Sequence, residues 1–184
     1  AVGDSDGYVE YFRNDGTASS PSWTHASLDW LGADVGDDAA PAFADIDNDG
    51  DYDLAVGDKN GYVHYFRNDG ILLWTHVSSD WLPADVGYCA APAFADINND
   101  GDYDLAVGDN DGYVHYFRND GTASSPSWFH ISSDWLGADV GYRAAPAFAD
   151  IDNDGDYDLA VGDSDGYVEY FRNDGTASSP SWTH

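Results

Sequence analysis

The string Ala-Val-Gly-Asp-x-x-Gly-Tyr-Val-x-Tyr-Phe-Arg-Asn-Asp-Gly begins four times in this chain of 184 residues, at Ala1, Ala55, Ala106 and Ala160. The spacings are 54, 51 and 54 residues. A chain that repeats itself at such a period folds as an array of like units, and each unit buries its apolar faces against its neighbours. The short spacing has a visible origin. The segment Gly-Thr-Ala-Ser-Ser-Pro-Ser-Trp-Thr-His after Asp15 becomes Gly-Ile-Leu-Leu-Trp-Thr-His after Asp69, so the length change falls in one connection between strands.

Within a unit the pattern predicts four strands, at 42–45, 52–56, 62–67 and 74–77. The dipeptides Asp6-Gly7, Asn60-Gly61, Asp111-Gly112 and Asp165-Gly166 suit tight hairpins, because glycine supplies the positive φ that such turns demand. In the third strand Tyr62, His64 and Phe66 face one way, and Val63, Tyr65 and Arg67 the other. A small sheet with large apolar or aromatic groups on both faces must be covered on both. Radial packing of blades does this. The expected fold class is all-β, made of β-propeller blades of four-stranded antiparallel sheets, about 3.5 to 4 blades per chain, with the ring completed by oligomerisation. A β-helix or linear solenoid is the rival, but its rungs are usually shorter than about 30 residues. The array divides into a partial blade at 1–40, which lacks a first strand and an acidic loop, and blades at 41–91, 92–145 and 146–184.

Asp and Glu number 35 against 6 Lys and Arg, a formal charge of -29. Such a field repels nucleic-acid phosphates and anionic membranes, so neither is expected as a partner. No stretch is long and apolar enough to insert in a membrane, and no signal-like segment opens the chain as given. The aromatic content of 15% is more than a disordered acidic chain carries.

Fourteen of the acids lie in three nine-residue loops at 45–53, 96–104 and 150–158. The first reads Asp-Ile-Asp-Asn-Asp-Gly-Asp-Tyr-Asp, with oxygen ligands at positions 1, 3, 5 and 9, a backbone carbonyl expected from position 7, and Gly at 6 for a sharp turn. This is the opening of the EF-hand ligand pattern. The EF-hand itself is excluded, because position 12 is Val56 rather than Glu and the flanks are strands. Dense hard carboxylates suit Ca2+ better than Mg2+, which keeps its waters. About three Ca2+ per chain are expected, bound only by the folded blade and therefore structural. Asn98 removes one ligand charge from the middle loop, which is expected to bind most weakly.

Cys89 is alone, so there is no intrachain disulfide, and Asp38 and Arg143 hold its place in the other repeats. His64 and His115 stand where other units have Glu10 and Glu169, and read as half-exposed strand residues. His25, His76, His130 and His184 recur after the Trp segment. Groups that recur once per blade point to architecture, so no catalytic residue and no enzyme activity are expected. The Trp residues at 23, 74, 128, 182, 30, 81 and 135 are expected in core and interblade packing rather than stacked on sugars. Asp37-Asp38, Tyr88-Cys89, Tyr142-Arg143 and Lys59-Asn60 differ between otherwise matching frames, and are candidate ligand contacts.

The run Val35-Gly36-Asp37-Asp38-Ala39-Ala40-Pro41, followed by Phe43-Ala44-Asp45 and the acidic loop, resembles the FG-GAP and VCBS repeat, the blade of integrin α-subunit propellers and of some lectins. The run recurs at 86–92 and 140–146, and the resemblance covers essentially the whole chain. It implies calcium ligands at Asp45, Asp47, Asp49, Asp51 and Asp53, at Asp96, Asn98, Asp100, Asp102 and Asp104, and at Asp150, Asp152, Asp154, Asp156 and Asp158. It also implies an extracellular or cell-surface adhesion or lectin-like module with a glycan or protein ligand. Residues 1–25 are identical to 160–184. A homo-oligomer is therefore expected, a dimer closing a ring of six to eight blades. A window of a longer array, or a designed or recently amplified scaffold with no ligand beyond calcium, is the alternative, and a propeller part of a carbohydrate-active enzyme is the third reading.

Overall fold

The computed structural model describes residues 1–32, 34–70, 73–122, 124–176 and 178–184. The shortened connection of the second unit, at Ile71 and Leu72, lies outside the described residues. The first sheet is a three-stranded meander of β1 (Val2–Gly3), β2 (Val9–Asn14) and β3 (Trp23–Ser27). Three four-stranded meanders follow. The second sheet holds β4 (Ala40–Ala44), β5 (Asp53–Gly57), β6 (Val63–Asn68) and β7 (Trp74–Ser78). The third holds β8 (Ala91–Ala95), β9 (Asp104–Gly108), β10 (Val114–Asn119) and β11 (Trp128–Ser132). The fourth holds β12 (Ala145–Ala149), β13 (Asp158–Gly162), β14 (Val168–Asn173) and β15 (Trp182–Thr183). All pairs are antiparallel, and the inner strands β4, β8 and β12 lie side by side. The chain is an all-β propeller array. A short 3-10 turn at Trp135–Gly137 is its helical element among the described residues, and no helix there is long and apolar enough to cross a membrane.

The third strand starts at Val63 rather than Tyr62 because the turn claims Tyr62. Asp58 closes the hairpin: its Oδ1 accepts the N–H groups of Asn60 and Tyr62 at 2.8 and 2.9 Å. Asp4, Asp109 and Asp163 do the same in their units. A carboxylate in this position satisfies turn donors that a tight hairpin leaves without a backbone partner.

The register sets two apolar faces on each blade. Leu54 lies opposite Phe66 and Val56 opposite His64 on one face, while Ala55 lies opposite Tyr65 and Gly57 opposite Val63 on the other. The first face packs on Val9, Val35 and Trp30 of the preceding unit, and the second on Leu82 and Val86 of the link that follows it and on Leu105, Val107 and Phe117 of the next blade. The tryptophans of the links are wedges between blades. Trp81 stacks on Tyr65 at 4.4 Å behind it and meets Trp128 edge-on at 4.9 Å ahead, and Trp30 and Trp135 repeat the pattern. Such pairs add about 1 kcal/mol each beyond their buried area.

His64 and His115 differ from the half-exposed residues expected of them: both are buried. Each ring places Nε2 against the second oxygen of the hairpin aspartate, Asp58 at 3.3 Å or Asp109 at 3.1 Å. Alternation put them on one face of a strand. The neighbouring blade and the turn carboxylate then closed over them.

Candidate metal centre

Each acidic loop joins the inner strand to the second strand of its blade, and its backbone turns through two left-handed residues. Gly50, Gly101 and Gly155 have φ of 97°, 95° and 99°, and the Asn two residues before each, Asn48, Asn99 and Asn153, has φ of 57°, 54° and 63°. Asn tolerates that region better than most residues, which explains its presence at position 4. The turn folds the chain back so that the aspartate at position 1 accepts the glycine N–H, with Asp45, Asp96 and Asp150 at 3.1, 3.0 and 3.1 Å.

This brings Asp45, Asp47 and Asp49 together, with one carboxylate oxygen of each within 4.8 Å of the others, and Asp150, Asp152 and Asp154 likewise. In the middle loop Asp96, Asn98 and Asp100 hold the equivalent places. The Asp100 N–H donates to both Asp96 and Asn98 there. Asp51, Asp102 and Asp156 donate their N–H groups back to the position-5 aspartates, at 2.9 to 3.0 Å.

Position 9 is placed differently. Asp53 is fully buried, with Oδ1 accepting the Asn68 N–H at 2.8 Å, and Oδ2 accepting the Ile46 N–H at 3.2 Å and the Tyr65 hydroxyl at 3.1 Å. Asp104 and Asp158 take the same strand and tyrosine donors. These carboxylates clamp the loop to the third strand of the blade. A bound ion would share them with donors already in place.

The donor set fits a hard cation. The Oδ1 atoms of Asp45 and Asp47 are shielded from solvent and have no hydrogen-bond partner among the described residues, a costly state for a carboxylate. Burial and then the neighbouring Asp49 push the Asp47 carboxyl up, and burial and then Asp154 do the same to Asp152. A divalent ion held by positions 1, 3 and 5 would supply the missing charge.

At the other mouth of the array the structure brings together the residues that vary between units. Asp38, Cys89 and Arg143 all have φ near 56°, and they line a cavity of about 280 Å3 with Asp4 and the paired alanines. Arg143 lies 3.6 Å from the Asp38 carboxylate, and the Cys89 thiol 3.9 Å from it. Burial raises the Cys89 thiol pKa, which favours the protonated thiol. Lys59 pairs with Asp37 at 2.9 Å.

The description of the FG-GAP-like repeat matches residues 45–107 and 96–161, each span opening on an acidic loop. The chain belongs to the FG-GAP-like repeat family. A curated protein, the KICSTOR complex protein ITFG2 of Mus musculus, is 29% identical to it over 154 residues, 77% of this chain and 32% of that protein. The chain thus spans about a third of that relative's length.

In this FG-GAP-like array the position-9 clamp has a consequence for pH. Burial raises the Asp104 carboxyl to about 6, and shifts Asp53 in the same direction. At Asp158, in the fourth sheet, burial pushes up but the bonds from Asn173, Tyr170 and Ile151 outweigh it, and the carboxyl is lowered. A carboxyl whose folded pKa lies above its unfolded value keeps its proton better in the native state. Between pH of about 4 and about 6, stability of the metal-free protein therefore falls as pH rises, by up to about 3 kcal/mol for Asp104. Urea titrations of metal-free protein across that range are expected to show the decline, and Asp104→Asn to flatten it. A slope unchanged by the substitution would assign the decline to general acidic repulsion.

Proposed function

We propose that this FG-GAP-like propeller binds calcium through Asp45, Asp47 and Asp49, through Asp96, Asn98 and Asp100, and through Asp150, Asp152 and Asp154. The ions hold each acidic turn in place, and the array serves as a structural or binding module. The observation that carries the reading is the pair of solvent-shielded, partnerless carboxylate oxygens on Asp45 and Asp47, converging with Asp49. Calcium, rather than magnesium, accepts several protein oxygens on an irregular loop. Binding only to the folded blade, the ion contributes its binding free energy to folding.

The ligand side of the module is the mouth where the repeats differ, at Asp38, Cys89 and Arg143, beside frames that otherwise match. A protein or glycan ligand outside the cell, where calcium is plentiful, suits an adhesion or lectin-like role, and the relative named as a component of a complex supports a protein-binding use of the fold. We read the module as non-catalytic, since the buried pairs His64 with Asp58 and His115 with Asp109 are closed inside blades.

Calorimetric titration of metal-free protein with calcium tests the reading. Two tighter sites and one weaker site are expected, and Asn98→Asp should bring the third into line with the others. No heat of binding, or a preference for magnesium, would end it.

A further inference from the structure

The arginines at one position of the repeat are not paired alike. Arg13 and Arg118 each reach both oxygens of the aspartate two residues on, through Nε and a terminal nitrogen. Arg67 gives only its Nε, to Asp69 Oδ1 at 2.7 Å, while the other oxygen of Asp69 accepts the Thr75 hydroxyl at 2.6 Å. The terminal amino groups of the Arg67 guanidinium thus have no hydrogen-bond partner among the described residues. Arg67 lines a cavity of about 260 Å3 between the second and third sheets, with Asp47 of the first acidic loop, Val77 of β7, Trp81 of the following link, and Ser124 and Ser125 of the turn between β10 and β11. The combination is particular to this interface. Between the first and second sheets the corresponding turn is the shortened segment after Asp69, which carries no serine. Between the third and fourth, Asn98 stands in the place of Asp47, and Arg118 is engaged at both nitrogens by Asp120. Groups that serve only to build the repeat would recur at each.

We propose that this cavity binds a carboxylate-bearing sugar of monosaccharide size, a uronate, at a site apart from the mouth at Asp38, Cys89 and Arg143. The proposal rests on the calcium reading above. A guanidinium with free terminal nitrogens presents a planar fork that matches a carboxylate. Ser124 and Ser125 carry hydroxyls that both donate to and accept from sugar hydroxyls, and the Ser125 hydroxyl has no partner among the described residues. Val77 and Trp81 give the apolar wall that the C–H face of a sugar ring needs. The volume is smaller than that of cavities that take drug-sized ligands.

Asp47 is the acidic member of this lining, and its charge opposes an anionic ligand. A cation held by Asp45, Asp47 and Asp49 would take up that charge and leave Arg67 as the charge that faces the ligand. Uronate binding is therefore coupled to calcium. An acidic peptide side chain would satisfy Arg67 but brings no hydroxyls for the serines.

Titration of 15N-labelled protein with glucuronate in excess calcium tests this, read at the Trp81 indole and the amides around the cavity. Saturable shifts confined to those residues are expected, with affinity at least about tenfold weaker in Arg67→Gln and unchanged in Arg118→Gln. Both arginine side chains are 42% exposed, so neither change opens the core. Excess chelator is expected to weaken binding by at least about tenfold, and glucose to bind more weakly than glucuronate. Equal losses in the two variants, glucose as good a ligand as glucuronate, or an N-acetyl-aspartate amide as good, would each overturn the uronate site, and an affinity indifferent to chelator would overturn its coupling to calcium. Calcium uptake is read separately by calorimetry. Protein that takes up calcium but no glucuronate overturns this site and leaves the calcium reading standing, whereas protein that takes up neither overturns both.

Discussion

Gly108→Ala is expected to destabilise the protein by on the order of 3 kcal/mol or more, while Gly162→Ala, at the same position of the repeat, leaves stability nearly unchanged. A Cβ on Gly108 would lie 2.0 Å from the Ala144 carbonyl oxygen and 2.9 Å from the Pro146 ring. That carbonyl cannot retreat cheaply. The flanking link is tied to the third blade by the Ala144 N–H to the Asp109 carbonyl at 2.9 Å and the Arg143 N–H to the Asn110 carbonyl at 3.1 Å. Gly57 meets the Ala90 carbonyl in the same way. At Gly162 the nearest atoms to such a Cβ are 3.9 and 4.0 Å away, which is ordinary contact. The measurement is a pair of urea or thermal melts. For a chain of this size about 3 kcal/mol corresponds to roughly 10 °C in Tm. Equal effects at the two glycines would show that close approach of blades is not what selects glycine.

Removal of calcium is expected to have the larger effect of the two. An ion that binds only the folded state at a hundred times its Kd contributes about 2.7 kcal/mol per site. With three sites, Tm is expected to fall by roughly 20 °C in excess chelator. Differential scanning calorimetry with and without chelator reads this directly. Restoring calcium should restore the transition, and magnesium should restore less of it. Superimposable scans would mean that the loops hold their shape by backbone hydrogen bonds alone, and the structural role of the ion would be lost.

The acidic loops show how far sequence reading carries and where it stops. Spacing singled out positions 1, 3, 5 and 9, with the carbonyl of position 7; of these Asp45, Asp47 and Asp49 converge, because a glycine turn at position 6 brings those side chains together whatever surrounds them. Position 9 has the same residue type in the same string, yet Asp53 serves the Asn68 N–H and the Tyr65 hydroxyl, donors fifteen and twelve residues away. Nothing local in the loop specifies those donors. They arrive only when the third strand pairs beside the second. The aspartate that opens each hairpin was likewise missed as a cap, although its fixed place two residues before the turn dipeptide is a signal that could have found it.

The repeat period, the alternation in the third strand and the turn dipeptides by themselves determined an all-β array of meanders with two apolar faces per blade, since each rests on covalent spacing and local backbone preference. Which copies of those faces are buried is a different matter. Val63 and Val168 stand in the same repeat frame, and one is covered while the other is 69% exposed. The same holds for His64, closed over by its neighbours, and for Gly108 and Gly162. Only the tertiary structure decided these, because burial depends on what the next blade brings, and identical sequence cannot encode a difference in neighbours.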